Sequence, residues 1–218
     1  MGYNIAIDGP AGAGKSTIAK KVARELGYIY VDTGAMYRAM AVYFRECGLT
    51  AEDLDRMKEV CTDAEIVIRY ENGSQQVYLN GENVTGMLRE EAIGRLASVG
   101  SALPEVRTHL LELQRKLARD YDVVMDGRDI GTNILPQADA KIYLTASVRT
   151  RAERRFKELR EAGQPCILEE IEKDIRERDE RDMTRETAPL KQAKDAVLVD
   201  SSEMTIDEVV QTILAICR

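Results

Sequence analysis

A glycine-rich turn between an apolar run and a helical run is the feature that most constrains this chain. Asn4–Asp8 is mostly apolar and ends in a carboxylate, and Gly9, four further residues, Gly14, Lys15 and Ser16 follow directly. Glycines let backbone N–H groups surround an anion, lysine adds a charge at the outer phosphates, and the serine hydroxyl can ligate Mg²⁺. The positive end of the following helix points to the same place. The spacing therefore predicts a phosphate-binding loop.

Short β-rich runs alternate with helical stretches along the rest of the chain. Such alternation predicts an α/β fold with a parallel sheet. Four of the runs end in aspartate, at the sheet edge where ligands bind in such folds. The predicted strands are Asn4–Asp8, Tyr28–Asp32, Val123–Asp126, Lys141–Ala146 and Ala196–Asp200.

One segment, Glu65–Val84, breaks this alternation. It has strand-like runs joined at Asn72-Gly73 and at Asn80-Gly81, and both dipeptides are typical of hairpin turns. We therefore expect a small antiparallel insertion here.

Composition favours a cytoplasmic enzyme. The 218 residues, 44% of them hydrophobic, suffice for one compact domain with room for an insertion. No apolar run approaches the length of a membrane span, and the chain starts with a core strand rather than a targeting leader. The four cysteines are far apart and His109 is the only histidine, so we expect neither disulfides nor a zinc site.

The charge pattern favours small phosphorylated ligands over nucleic acid. A net charge of −7 lacks the basic field that a general nucleic-acid binder needs. Arginine nevertheless outnumbers lysine by 21 to 10, and arginine grips phosphate through a bidentate fork. The guanine-reading motif N-K-x-D is absent, which argues against a GTP switch.

Two polar motifs follow predicted strands. DTGAMYRAM places Tyr37 and Arg38 near a helix start, where a ring can stack on a base and a guanidinium can clamp a phosphate. VVMDGRDIGT ends a strand at Asp126, an acidic strand end that can support Mg²⁺, and continues with Arg128 and Asp129. An ordinary amphipathic helix and a generic polar loop are the alternatives.

Five motifs together resemble those of bacterial cytidylate kinases in order and approximate spacing: DGPAGAGKST, DTGAMYR, ASVGSALPEVR, DGRDIGT and RDERDMTRETAPL. The resemblance covers nearly the whole chain. It implies a P-loop kinase fold with a parallel five-stranded sheet flanked by helices. It also implies a single kinase domain over residues 1–218, with a small antiparallel β insertion at about 63–90 and a helical lid at about 151–182.

The same resemblance implies transfer of the ATP γ-phosphate to CMP or dCMP, with Mg²⁺ as cofactor. Lys15, Arg128 and Arg185 are the expected catalytic residues, and Ser16 is the expected Mg²⁺ ligand. The expected ATP-binding residues are Gly9, Pro10, Ala11, Gly12, Ala13, Gly14, Lys15, Ser16, Thr17, Arg151 and Arg155.

The family pattern places cytosine against Ser98, Arg107 and Asp129. Cytosine has an amino donor next to ring acceptors, so a carboxylate can accept from the amine while arginine and serine serve the ring nitrogen and carbonyl. Without the resemblance, a packed helix with surface polar groups is the favoured explanation of Ser98 and Arg107, whereas with the resemblance the base contacts are favoured.

The family pattern also assigns residues to the phosphate and ribose of CMP. Arg38, Arg128 and Arg185 are expected near the phosphate and Asp182 near the ribose hydroxyls. A salt-bridged solvent face is the expectation for most other charges between Arg149 and Arg185, but not for Asp182 or Arg185. The expected CMP-binding residues are Thr33, Tyr37, Arg38, Ser98, Arg107, Arg128, Asp129, Asp182 and Arg185.

In family members, arginines of the lid lie over ATP. Arg151, Arg154 and Arg155 share a helical face here, and pairing of Arg154 with Glu158 is the competing interpretation. We expect ATP and CMP or dCMP as partners, no nucleic acid or membrane, and a monomer. Two alternatives stay open: a P-loop kinase for another small acceptor such as UMP, and a nucleotide-gated binding protein.

Overall fold

The computed structural model describes residues 2–71 and 73–217. It divides into two compact units. We call Met1–Tyr30 with Tyr121–Arg218 the loop unit, because it carries the phosphate-loop sequence, and Val31–Asp120 the hairpin unit.

The secondary structure alternates between strands and helices except in the middle of the chain. In order, the elements are β1 (Asn4–Asp8), α1 (Lys15–Leu26), β2 (Ile29–Asp32), α2 (Thr33–Glu46), α3 (Leu54–Val60), β3 (Ile66–Glu71), β4 (Ser74–Leu79), β5 (Glu82–Asn83), α4 (Glu91–Gly100), α5 (Pro104–Asp120), β6 (Val123–Gly127), β7 (Ala140–Thr145), α6 (Val148–Glu161), α7 (Leu168–Thr184), β8 (Val197–Asp200) and α8 (Ile206–Ile216).

The loop unit is built on a five-stranded sheet in the order β2-β6-β1-β7-β8. Strand β1 pairs in parallel with β6 and β7, and β7 pairs in parallel with β8. The register sets Asp8 opposite Gly127, so β1 and β6 end level with each other. The predicted parallel sheet is confirmed, and each predicted strand boundary lies within one residue of the observed one.

The core of the loop unit lies between the sheet and its helices. Ile5 and Ile7 of β1 are fully buried, as expected for a central parallel strand covered on both faces. Ile18 and Val22 of α1, at helical spacing, pack in the same cluster as residues of α8. The charged stretch between Arg149 and Arg185 forms α6 and α7.

The hairpin unit contains the predicted antiparallel insertion. Strand β3 pairs with β4 from Ile66 opposite Leu79 to Glu71 opposite Ser74, and β5 adds a short third strand. Asn80 and Gly81 join β4 to β5, both with positive φ (49° and 88°), as an Asn-Gly hairpin turn requires.

At the other predicted turn, Gly73 has a φ of 72°, whereas its neighbour Asn72 lies outside the described residues.

Helix α2 supplies much of the apolar core of the hairpin unit. Its stripe of Met36, Met40 and Phe44, at i, i+4 and i+8 in the sequence, is fully buried. Gly100, at the end of α4, leaves room for the Phe44 ring, because a Cβ there would lie 3.0 Å from that ring. A glycine that is unfavourable for helix propensity thus permits close packing between α2 and α4.

The cysteines and the potential metal-ligating side chains of the described ranges form neither a disulfide nor a metal cluster. The four cysteines are free. No group of three or more His, Cys, Asp or Glu side chains in the described ranges could hold a metal ion. Each helix in the same ranges is too short or too polar to cross a membrane.

Candidate functional site

The loop from Gly9 to Gly14 has the backbone that its glycines predict. A Cβ on Gly9 would lie 1.9 Å from the carbonyl oxygen of Leu144, so only glycine fits between the loop and β7. Gly14 has a φ of 83° and caps α1, which begins at Lys15. The turn therefore leads directly into a helix whose N-terminus can bind an anion.

Lys15 is buried within this loop. Its Nζ donates to the carbonyl oxygen of Pro10 at 2.7 Å, and the residue is only 6% exposed. Burial, together with the nearby positive charge of Arg128, lowers the pKa of Lys15 well below its usual value, although Asp126 opposes this shift. A bound phosphate would favour the charged ammonium, because an opposite charge offsets the cost of burial.

The side chain of Ser16, at the start of α1, contacts the carboxylate of Asp126 in β6. The Ser16 hydroxyl donates to Asp126 Oδ2 at 3.0 Å, and the Tyr30 hydroxyl donates to Asp126 Oδ1 at 2.8 Å. A hydroxyl and a carboxylate are the hard oxygen ligands that Mg²⁺ prefers. These residues fit the expected Mg²⁺ role, and Tyr30 is a contact that sequence reasoning missed.

Arg128 and Asp182 form a mostly buried ion pair. Arg128 Nε donates to Asp182 Oδ2 at 2.8 Å, with the side chains 20% and 9% exposed. Burial alone would raise the pKa of Asp182, but the charges of Arg128, Arg178 and Arg185 outweigh burial and lower it. The structure thus brings together residues predicted from distant motifs.

Arg185 lies directly after α7 and reaches the loop that follows β6. Its Nε and Nη2 donate to the carbonyl oxygen of Ala188 at 2.9 and 2.6 Å. Nη2 also lies 3.4 Å from Asp129 Oδ1, and Asn133 donates to Asp129 Oδ2 at 3.1 Å. Asp129 is therefore buried and held by protein contacts, with an orientation set by arginine and amide groups.

Asp8 holds the turn that follows Asp129. Its Oδ1 accepts from the Ile130 N–H at 2.7 Å, and its Oδ2 accepts from the Gly131 N–H at 2.8 Å. Burial raises the pKa of Asp8 to about 6, against the lowering effect of these two hydrogen bonds. The sequence signal was its place at the end of a buried strand, but nothing in the spacing pointed to its partners.

In the hairpin unit, Arg107 and Tyr37 lie together. The Arg107 guanidinium lies 5.5 Å from the centre of the Tyr37 ring, and its Nη1 donates to the carbonyl oxygen of Ser101 at 3.1 Å. Ser101 Oγ in turn donates to the Ser98 carbonyl. Thr33 is the buried first residue of α2. Four of the residues predicted to bind CMP thus belong to neighbouring segments of one unit.

Arg38 completes the predicted set in this unit. Its Nη1 lies 3.9 Å from Asp32 Oδ1, and the arginine side chain is 34% exposed. The Asp32 carboxylate also accepts from the Ala35 N–H at 2.9 Å and so caps α2. Arg38 is therefore held by the start of its own helix while part of its side chain faces solvent.

The three lid arginines differ in their surroundings. Arg151 is 4% exposed, donates to the carbonyl oxygens of Ala146 and Ala11, and pairs with Asp179 at 2.7 Å. Its contact with Ala11 ties α6 to the phosphate loop.

The contacts of Arg154 and Arg155 differ from the competing interpretation, in which Arg154 pairs with Glu158. Glu158 pairs with Arg155 rather than with Arg154, at 3.2 Å. Arg154 instead donates to the hydroxyl and carbonyl oxygens of Ser201 at 3.2 and 2.7 Å. Arg155 and Glu158 lie three residues apart on the exposed face of α6, so their side chains can reach each other.

Comparisons with known proteins agree with the motif pattern. The family model described as cytidylate kinase matches residues 5–218. A curated cytidylate kinase from Caldicellulosiruptor saccharolyticus is 48% identical over 211 residues, covering 97% of this chain and 93% of that protein. One from Thermotoga maritima is 46% identical over 219 residues, covering 100% and 98%.

One solved structure is similar in fold at low sequence identity. An uncharacterized protein from Eubacterium ventriosum matches with a TM-score of 0.52 and 12% identity, covering 99% of this chain and 98% of that one. A shikimate kinase from Acinetobacter baumannii in complex with shikimate matches with a TM-score of 0.48 and 19% identity, covering 98% and 92%.

We expect Asp8→Asn to alter the pH dependence of stability. The folded-state pKa of Asp8, about 6, lies above its usual 3.8, so the stability it contributes is fully present below about pH 4 and is lost as pH rises through 6. Across this range the wild type should lose roughly 3 kcal/mol relative to the variant, which cannot titrate there. Urea unfolding of both proteins from pH 4 to 7 measures the difference, and a constant difference would contradict the assignment.

Arg151→Ala and Arg155→Ala form a matched pair on α6. Removing Arg151 leaves the buried Asp179 carboxylate without its ion-pair partner, so we expect a loss of about 3 kcal/mol in the free energy of unfolding. Removing Arg155 breaks an exposed pair and should change that free energy by less than about 0.5 kcal/mol. Urea denaturation tests both, and equal losses would show that the burial of Arg151 has no energetic consequence.

Proposed function

Because the chain belongs to the cytidylate kinase family, we propose that it transfers the γ-phosphate of ATP to CMP or dCMP, giving CDP or dCDP. The observation that carries the proposal is the match of the family model over residues 5–218. The geometry of the phosphate loop supports the same chemistry, because a buried lysine and a helix N-terminus face one turn.

ATP is assigned to the phosphate loop. Residues 9–17 would surround its phosphates, all of them except Pro10 offering a backbone N–H group, and Lys15 would contact the outer phosphates. Mg²⁺ bound at Ser16 and Asp126 would neutralise charge on the phosphates. We assign Arg155, whose side chain is exposed on α6, to a contact with ATP. The buried position of Arg151 instead supports a role in holding the phosphate loop through Ala11.

Each unit holds part of the set of residues expected to bind CMP. In the loop unit, Arg128 and Arg185 serve its phosphate, Asp182 its ribose and Asp129 the cytosine amine. In the hairpin unit, Arg38 serves the phosphate, Ser98 and Arg107 serve the cytosine, and Thr33 and Tyr37 are the remaining members of the set.

The reaction needs no strong base, because the attacking oxygen belongs to a phosphate that is already ionised. Catalysis comes from holding two anions in line and neutralising the charge that spreads over the transferred group. Lys15, Arg128 and Arg185 supply positive charge for this purpose. The two nucleotides are the proposed partners, and we propose that the protein acts as a monomer in the cytoplasm.

A kinase for a different acceptor is the second candidate, because the phosphate loop and the arginines alone do not select a base. An ADP-release assay with ATP and a panel of CMP, dCMP, UMP and AMP separates the candidates. We expect ATPase activity without acceptor to be low and to rise sharply with CMP or dCMP. A rise with UMP alone would favour the other acceptor, and slow hydrolysis unaffected by any acceptor would indicate a nucleotide-gated binding protein.

Asp129→Ala tests the proposed contact with the base. If the carboxylate accepts from the cytosine amine, the variant should lose kcat/KM for CMP more than for UMP, since each mismatched buried polar group costs about 1–3 kcal/mol. The ratio of the two kcat/KM values should then fall at least about tenfold. Arg185 and Asn133 also contact Asp129, so a purely structural role would lower both activities together and leave the ratio unchanged.

A further inference from the structure

The hairpin formed by β3 and β4 supplies none of the residues assigned to the two nucleotides. One of its side chains nevertheless reaches the start of α2. Gln75 Oε1 accepts from the Asp32 N–H at 2.9 Å, and Gln75 Nε2 donates to the Asp32 carbonyl oxygen at 3.2 Å. One side-chain amide thus satisfies both main-chain groups of a single residue. This double contact fixes the backbone at the junction between β2 and α2, as a neighbouring strand would.

The position of Gln75 on its strand accounts for this contact. Side chains alternate between the two faces of a strand, so Gln75 shares a face with Val77 and Leu79, which are 1% and 2% exposed. Its neighbour Gln76 points to the other face, where its Oε1 accepts from Asn83 Nδ2 at 3.3 Å. Two adjacent glutamines therefore have different partners, and only one of them reaches α2.

Asp32 connects this contact to Arg38. Its Oδ1 accepts from the Ala35 N–H at the first turn of α2 and lies 3.9 Å from Arg38 Nη1. Gly34 permits this arrangement, because a Cβ there would lie 3.1 Å from both Asp32 Oδ1 and Arg38 Nη1. The position of the Asp32 backbone therefore decides where the Asp32 carboxylate, and with it the guanidinium of Arg38, can lie.

We propose that Gln75 is a positioning residue for the acceptor phosphate. By fixing the main chain of Asp32, it holds the Asp32 carboxylate against Arg38 and so presents this guanidinium to the phosphate of a nucleoside monophosphate. The inference rests on the proposed function, which assigns Arg38 to that phosphate. It gives the hairpin a role in acceptor binding without any direct contact with the nucleotide.

Gln75→Leu and Gln76→Leu make a matched test, because the two positions are adjacent on β4. We expect Gln75→Leu to raise the Kd for CMP, measured by calorimetry, about fivefold to tenfold, as loss of one or two hydrogen bonds that fix the site would do. Gln76→Leu should stay within about twofold of wild type, and the Kd for a non-hydrolysable ATP analogue should be unchanged in both. Equal effects of the two substitutions on CMP binding would overturn the proposal.

A second variant distinguishes loss of the contact with Asp32 from unfolding of the hairpin. Gln75→Glu keeps an acceptor for the Asp32 N–H but sets a carboxylate oxygen against the Asp32 carbonyl. We expect it to weaken CMP binding as well, with an unchanged circular dichroism spectrum. Wild-type affinity for CMP in both Gln75 variants would overturn the inference alone, whereas wild-type protein that binds no CMP would overturn the proposed function and the inference with it.

A double-mutant cycle with Arg38→Ala separates positioning from general destabilisation. If Gln75 acts through Arg38, Gln75→Leu should have no further effect on the Kd for CMP once Arg38 is removed. A structural role that bypasses Arg38 would give the same fold-change in both backgrounds, and that result would contradict the proposal.

Discussion

The parallel register between β1 and β6 is the constraint on which both loops of the loop unit depend. Because Asp8 pairs with Gly127, the two strands end at the same level of the sheet. The phosphate loop leaves β1 at Gly9, and the loop with Arg128 and Asp129 leaves β6, so the two emerge side by side. A shift of one residue in this register would separate Asp8 from the N–H groups of Ile130 and Gly131 and misplace Asp129.

Charge compensation then fixes the side chains at this edge. The chain carries a net charge of −7, yet its loop unit buries positive groups next to carboxylates, as in the Arg128–Asp182 and Arg151–Asp179 pairs. Buried pairs of this kind add little to stability over apolar residues of similar size, but the loss of one member is costly. Their main effect here is geometric, because each pair holds a guanidinium in one orientation. An anionic nucleotide would meet charges whose positions are already set.

Local sequence patterns predicted much of the fold and part of the site. The strand boundaries, the hairpin turn at Asn80 and Gly81, and the buried stripe of α2 depend on residues close in sequence, and their patterns are strong. The different surroundings of Arg151 and Arg155 were beyond such reasoning. Both residues lie on the same predicted helix, and only the packing of α7 and of the phosphate loop buries one and leaves the other exposed.

The sequence by itself determined the phosphate loop, because its conformation depends on glycines, a lysine and a helix start within about ten residues. The five motifs likewise sufficed to identify the family, since their order and spacing are properties of the chain. The partners of Asp8 and Gln75 were decided only by the tertiary structure. Asp8 bonds to residues more than 120 positions away, and Gln75 bonds to a backbone 43 positions before it. Polar contacts to main-chain groups leave no residue-type signature at the accepting or donating position, so only the folded backbone reveals them.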